Sequence, residues 1–84
     1  MDAINLKNLI ESSLENTQAL IQSDDNVHFD AIIISEQFES IKNKVKQQQL
    51  VYHVINDYIK SGEVHAISMK TYTPAQWQKL NHES

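Results

Sequence analysis

The sequence predicts an α+β fold in a single domain that spans residues 1–84, with the element order α-β-β-α-β-α. Apolar residues recur at helical spacing in some segments and at alternating positions in others. One glycine and one proline leave few turns, so the helices should be long and the loops few. A strand, a long helix and another strand favour a right-handed crossover between parallel strands. Together with a hairpin, this crossover gives a three-stranded mixed sheet with the helices on one face.

The first half of the chain predicts a helix followed by a β-hairpin. Asp2 is placed to cap a helix whose apolar residues lie on one face. These residues are Ala3, Leu6, Leu9, Ile10 and Leu14. A short strand is predicted at Ala19–Gln22, and a second strand follows at Val27–Ser35, with Phe29 on its apolar face. Because a turn of four polar residues separates the two strands, we expect them to pair antiparallel.

The second half predicts a long helix, a strand and a short helix. Helical periodicity extends over Lys44–Ser61, and Gly62 is placed to take the left-handed conformation that ends a helix. The apolar stripe of this helix comprises Val45, Val51, Tyr52, Ile55, Tyr58 and Ile59. Alternating residues then predict a strand at Val64–Tyr72. Thr73 and Pro74 predict the N-cap and the first residue of a final helix.

One hydrophobic core should join these elements, since 40% of the residues are hydrophobic. The expected members are Ile10, Phe29, Ile55, Ile59, Ile67 and Trp77. In the final helix, Trp77 and Leu80 should supply the buried side. Gln48 falls within the apolar stripe of the long helix, so either that helix begins late or the amide has a partner. The chain has no cysteine, and therefore no disulfide reinforces this core.

Composition argues against several functional classes. The absence of cysteine excludes a Cys-based zinc site and a cysteine nucleophile. A net charge of −4 and the absence of arginine argue against strong nucleic-acid binding. The longest apolar run, Ala31–Ile34, is far too short to span a bilayer, which predicts a soluble cytoplasmic protein with no membrane partner. We find no catalytic motif and expect no enzymatic activity.

The four histidines are the candidate metal ligands. His28 immediately precedes Phe29 and points away from the apolar face of its strand, whereas His65 opens the third strand on the same side as Ile67 and Met69. Histidines at the ends of adjacent strands can approach each other. For both, the pattern alone favours a structural histidine, and the functional alternative is a metal ligand.

The other two histidines lie in polar surroundings. His53 is on the polar face of the long helix, and His82 is in the polar C-terminal tail. A solvated role is the simplest interpretation of both.

Three lysines lie near the start of the long helix. Lys42, Lys44 and Lys46 are candidate phosphate contacts, because the N-terminus of a helix attracts anions. Three lysines are a weak signal, and a solvated helix face is the alternative interpretation.

Residues 64–77 carry the most specific motif. A hydrophobic-His-Ala strand at 64–66 runs into Tyr-Thr-Pro-x-x-Trp at 72–77 and closely resembles the C-terminal signature of the BolA family. Residues 45–52 resemble the opening of the family's long helix, and the Lys-Gln-Gln version of this motif, Lys46-Gln47-Gln48, is similar to the IbaG branch. Val27-His28-Phe29 resembles the family's Ser-His-Phe.

The resemblance implies a fold similar to a class II KH domain, with a short helical turn near Glu36–Ile41. It also implies an adaptor in iron–sulfur cluster trafficking and iron homeostasis, which shares a [2Fe–2S] cluster with a monothiol glutaredoxin and its glutathione. The family's C-terminal histidine ligand corresponds to His65. His28 is the nearest candidate for the second ligand, although it matches a different position of the family. Without cysteine, the isolated chain is expected to hold no cluster.

Other functions stay open at this stage. Some relatives are described as stress-related DNA-binding transcription regulators, and a KH-like surface with Lys42, Lys44 and Lys46 is the candidate interface. Such DNA binding should be weak and salt-dependent, because it would rest on phosphate contacts. A third interpretation is an interaction module with no cofactor. Formation of a homodimer is also open.

Overall fold

The computed structural model describes residues 1–83 and the side chains of residues 1–81. The elements are α1 (Ala3–Ser13), β1 (Thr17–Gln22), β2 (His28–Ser35), a 3₁₀ helix (Glu36–Ser40), α2 (Lys44–Lys60), β3 (Ala66–Tyr72) and α3 (Pro74–Glu83). The predicted order of helices and strands is confirmed, and the 3₁₀ helix is the short turn that the family resemblance implied. None of the helices in this described part is long and apolar enough to span a membrane.

The central strand of the sheet is β2, in the order β1-β2-β3. β1 pairs antiparallel with β2, with Ala19 opposite Ile33. β3 pairs parallel with β2, with His28 beside Ala66 and Ile34 beside Tyr72. The mixed sheet is therefore as predicted. Its parallel pair brings the first residues of β2 and β3 to the same end of the sheet.

Helices α1 and α2 pack on one face of this sheet and form the core with it. The buried cluster comprises Leu6, Ile10, Leu14, Ala19, Phe29, Ala31, Ile33, Phe38, Val51, Ile55, Val64 and Met69. Of the predicted core residues, Ile10, Phe29 and Ile55 belong to this cluster, and Ile59 and Ile67 pack at its margin. The alternation in β2 also holds, because Phe29 is buried and His28 is exposed.

The contribution predicted for the last helix is wrong. Trp77 is only half-buried and lies outside the buried cluster. Its ring centroid is 5.6 Å from that of Tyr72, and Leu80 is 45% exposed. Helix α3 contacts β2 and β3, but the face of the sheet that carries the core is already covered by α1 and α2. The expectation of helices on one face therefore holds for α1 and α2.

The first turn of α2 also differs from the prediction. Val45 is 60% exposed, and the buried position belongs to Gln47, which is 3% exposed. The Gln47 amide donates to the carbonyl oxygens of Phe38 and Ile41, and its Oε1 accepts a hydrogen bond of 2.7 Å from Thr71 Oγ1. Gln47 therefore joins the segment before α2 to β3. Gln48 is half-buried, and its Nε2 lies 3.5 Å from the carbonyl oxygen of Met69.

Two side chains of α1 fasten it to the outer side of β1. Lys7 and Glu11 form an ion pair one helical turn apart. Lys7 Nζ donates to the Ala19 carbonyl oxygen at 3.1 Å, and Glu11 Oε2 accepts from the Ala19 N–H at 2.9 Å. Lys7 and this N–H hold the pKa of Glu11 below its ordinary value, because both stabilise the carboxylate.

Candidate functional site

The structure brings His28 and His65 into contact. Their ring centroids are 5.1 Å apart and the ring planes are inclined at 71°. His28 is the first residue of β2, whereas His65 lies one residue before β3. Both residues are exposed. The expected approach of two histidines at the ends of adjacent strands is therefore present.

The position of His65 corrects one detail of the prediction. β3 begins at Ala66, one residue after His65. The N–H groups of His65 and Ala66 both donate to the Val27 carbonyl oxygen, at 2.8 and 3.1 Å. His65 thus precedes the alternating part of the strand and does not share the core side of Ile67 and Met69. Fully buried Val64, whose N–H donates to the Tyr58 carbonyl oxygen, anchors the chain immediately before His65.

The turn between β1 and β2 is organised around Asp25. Its Oδ1 accepts the N–H groups of Val27 at 3.1 Å and His28 at 2.8 Å, and its Oδ2 lies 2.6 Å from His28 Nδ1. Ser23 Oγ donates to the His28 carbonyl oxygen at 2.6 Å and accepts from the Asn26 N–H at 2.9 Å. Asn26 takes the left-handed conformation at φ 62°, which asparagine tolerates in a turn without glycine.

These hydrogen bonds favour the negatively charged form of Asp25. The backbone N–H groups of His28 and Val27, together with the His28 imidazole, lower the pKa of the Asp25 carboxyl from its ordinary value. Each of these groups interacts favourably with the carboxylate and so stabilises the ionised form. At neutral pH, Asp25 is an anion that faces one nitrogen of His28.

The open face of the sheet forms a cavity of about 310 Å³ beside His28. The cavity is lined by Gln22, Ser23, Asp24, Asp25, His28, Phe29, Asp30, Ala66 and Ser68. Two small residues of β3, Ala66 and Ser68, leave the floor accessible. This cavity gives another molecule access to His28.

The donor atoms of this site fit a shared metal centre. Neutral imidazole is a common metal ligand, and the contact of Asp25 with His28 Nδ1 leaves Nε2 available. Within the part of the chain that the structure describes, no group of three or more histidine, aspartate or glutamate side chains could hold a metal ion. The chain also has no cysteine. These residues can complete the coordination of a metal whose remaining ligands belong to another molecule.

One of the other two histidines has a described side chain, and it does not join this pair. His53 is exposed on α2, and its ring makes no contact with another aromatic ring among the described side chains. The side chain of His82 lies outside the described residues.

The three lysines are engaged to different extents. Lys44 Nζ donates to the Thr71 carbonyl oxygen and lies 5.0 Å from the centroid of the Tyr72 ring. Lys42 and Lys46 are exposed. The Asn43 side chain accepts the N–H groups of Val45 and Lys46, at 2.8 and 3.2 Å. Two of the amides that could meet a phosphate at the start of α2 therefore already have a partner.

Sequence reasoning did not identify Asp25 as part of the site. The available signal was an aspartate three residues before a histidine in a polar turn, because aspartate side chains often accept hydrogen bonds from nearby backbone N–H groups. That rule predicts the turn, but not the second contact with the imidazole.

Comparison with known proteins agrees with this fold along most of the chain. The family model described as BolA-like protein matches residues 3–76. The acid stress protein IbaG of Escherichia coli is 41% identical over 80 residues, which cover 88% of this chain and 94% of IbaG.

Solved structures resemble this one closely. A BolA homologue from Coxiella burnetii has a TM-score of 0.80 and 28% identity, over 93% of this chain and 97% of the homologue. BolA1 from Arabidopsis thaliana has a TM-score of 0.74 and 31% identity, over 88% and 93% of the two chains. These likenesses agree with the α+β architecture.

Proposed function

The chain belongs to the BolA-like protein family, and we propose that it is a non-catalytic adaptor in iron–sulfur cluster trafficking and iron homeostasis. In this proposal it binds a monothiol glutaredoxin, and the two proteins share a [2Fe–2S] cluster with glutathione. The observation that carries the proposal is the contact between the exposed rings of His28 and His65.

His65 is the principal ligand in this proposal, and His28 is the second. Among the described residues, the ring of His65 has no hydrogen-bond partner, and its aromatic contact is the ring of His28. The ring is exposed at the protein surface. This exposure supports a ligand role, which needs a ring nitrogen open to another molecule.

The remaining ligands in this proposal are thiolates of glutaredoxin and glutathione. A [2Fe–2S] cluster supplies redox chemistry, and histidine in place of cysteine raises its reduction potential. This chain contributes two imidazoles and the accessible cavity of about 310 Å³ beside His28. The partner's surface would occupy that end of the sheet.

The absorption spectrum of a reconstituted mixture tests this function. The protein is mixed with a monothiol glutaredoxin, iron, sulfide and glutathione, and compared with its His65→Ala and His53→Ala variants. The wild-type and His53→Ala proteins should form the mixed complex. With His65→Ala, the spectrum should revert to that of the glutaredoxin homodimer, in which all cluster ligands are thiolates. A His65→Ala complex with an unchanged spectrum would refute the assignment.

The alternative function, DNA binding through the lysines, has less support. Lys44 is engaged by Thr71 and Tyr72. Because Lys42 and Lys46 would contact mainly phosphates, the affinity for DNA should be low and should fall steeply as the salt concentration rises. Tight, sequence-selective binding at physiological salt that is lost in a Lys42/Lys46→Ala variant would favour this alternative instead.

A further inference from the structure

Asp25 makes two kinds of contact through its two carboxylate oxygens. Oδ1 accepts the backbone N–H groups of Val27 and His28, and so holds the turn. Oδ2 lies 2.6 Å from Nδ1 of the His28 ring and takes no part in those turn bonds. The turn therefore uses one oxygen, and the imidazole uses the other.

From this division we propose that Asp25 is a positioning residue, which selects the tautomer of His28 that presents Nε2 to a metal. The inference rests on the proposed function, because it concerns His28 as a ligand. An ionised carboxylate only accepts hydrogen bonds, so Nδ1 must carry the proton. The lone pair of a neutral ring is then on Nε2. A carboxylate that orients a metal-binding histidine in this way also raises its basicity.

The turn alone does not require a carboxylate at position 25. An asparagine could accept the same two N–H groups through its Oδ1. Its amide nitrogen would then face His28 Nδ1 and donate to it, which would move the ring proton to Nε2 and block the proposed ligand atom. The Asp25→Asn substitution should therefore keep the hydrogen bonds of the turn while it changes the tautomer of His28.

The first measurement uses the free protein with ¹⁵N-labelled histidine. NMR at about pH 8.5, where histidine side chains are ordinarily neutral, reports which ring nitrogen carries the proton. We expect His28 to be protonated mainly on Nδ1 in the wild type and mainly on Nε2 in Asp25→Asn. Asp24→Asn, which removes the same charge from the neighbouring position of the turn, should leave the wild-type tautomer. Equal tautomer ratios in all three proteins would overturn the inference.

The second measurement uses the complex with glutaredoxin. Pulsed EPR of the reduced cluster counts the histidine nitrogens that are coupled to iron. We expect two in the wild type and in Asp24→Asn, and one in both Asp25→Asn and His28→Ala. Retention of the cluster should fall about 10- to 100-fold in Asp25→Asn, the usual effect of losing a group that orients a ligand.

The outcomes separate the two proposals. Two nitrogens in the Asp25→Asn complex overturn the role of Asp25 and leave the proposed function standing. One nitrogen in the wild type, unaffected by His28→Ala, excludes His28 as a ligand and overturns the inference while His65 keeps its role. A wild-type complex with no histidine nitrogen on iron overturns both.

Discussion

Polar side chains serve opposite purposes in two regions of this small domain. On α1 and α2, Glu11 and Gln47 turn inward and bind strand residues, so their polar atoms are committed to the fold. At the start of β2 and β3, His28 and His65 turn outward, and their rings are exposed. Polarity by itself therefore does not identify a functional site. A better indication of a functional site is a polar ring that the fold holds in place although the ring contributes little to stability.

Gln47 should provide the largest difference between the two regions. Gln47→Leu leaves the Thr71 hydroxyl and the carbonyl oxygens of Phe38 and Ile41 without this partner. We expect the free energy of unfolding to fall by about 2–4 kcal/mol, because unsatisfied buried polar groups are costly. Urea denaturation measures the loss. The control Gln48→Leu should lose less than about 1 kcal/mol, since that side chain is half-buried. Equal losses would contradict the special role of Gln47.

Trp77 should give a smaller effect than a core aromatic residue. It is half-buried and packs near Tyr72 rather than within the buried cluster. Trp77→Ala should therefore cost about 1–2 kcal/mol, whereas Phe38→Ala should cost about 3–5 kcal/mol. Thermal or urea unfolding of both variants provides the comparison. A loss for Trp77→Ala as large as that for Phe38→Ala would place α3 in the core after all.

Glu11 should give a small effect that depends on pH. Its pKa is lowered in the folded protein, so its carboxylate contributes stability that is fully present well above the ordinary value of 4.5. That contribution is lost as the pH falls through 4.5 towards the lowered pKa. At neutral pH, Glu11→Gln should reduce stability by less than about 1 kcal/mol, because the ion pair is partly exposed. The gap between wild type and variant should narrow between pH 5 and pH 3, as followed by urea denaturation at each pH; a constant gap would argue against the ion pair.

His65 should give the smallest effect on stability. Its exposed ring packs against His28 alone among the described aromatic residues, and buried Val64 anchors the backbone beside it. We expect His65→Ala to change the unfolding free energy by less than about 0.5 kcal/mol. Circular dichroism during urea denaturation tests this. A loss above about 1 kcal/mol would mean that the ring serves the fold, and the contrast between the two regions would fail.

The elements were predictable from the sequence because burial repeats with the geometry of helix and strand. Alternation predicted the buried face of β2, and a positive φ at Gly62 confirms the predicted end of α2. Hydrophobic periodicity did not predict the buried position of α2 that a polar residue occupies. Gln47 occupies the buried position because its hydrogen bonds are satisfied, and hydrophobic spacing cannot detect such an amide.

The candidate site was predictable only in part. Strand order and a parallel register are enough to bring His28 and His65 to one end of the sheet. The 2.6 Å contact between Asp25 and the His28 ring depends on how the turn orients both side chains, which the spacing of residues in the sequence does not reveal. Trp77 was misplaced because an aromatic residue at helical spacing predicts burial, but not which surface remains to be covered.

The contacts that Lys7 and Glu11 make with the backbone of Ala19 also affect the tendency of the protein to aggregate. In an antiparallel pair, alternate residues direct N–H and C=O away from the neighbouring strand, and Ala19 is in the middle of β1. With both groups engaged, a strand from another molecule cannot form a continuous ladder along that margin. Exposed strand margins are templates for edge-to-edge aggregation. The ion pair of Lys7 and Glu11 thus hinders edge-to-edge growth of the sheet at the β1 margin.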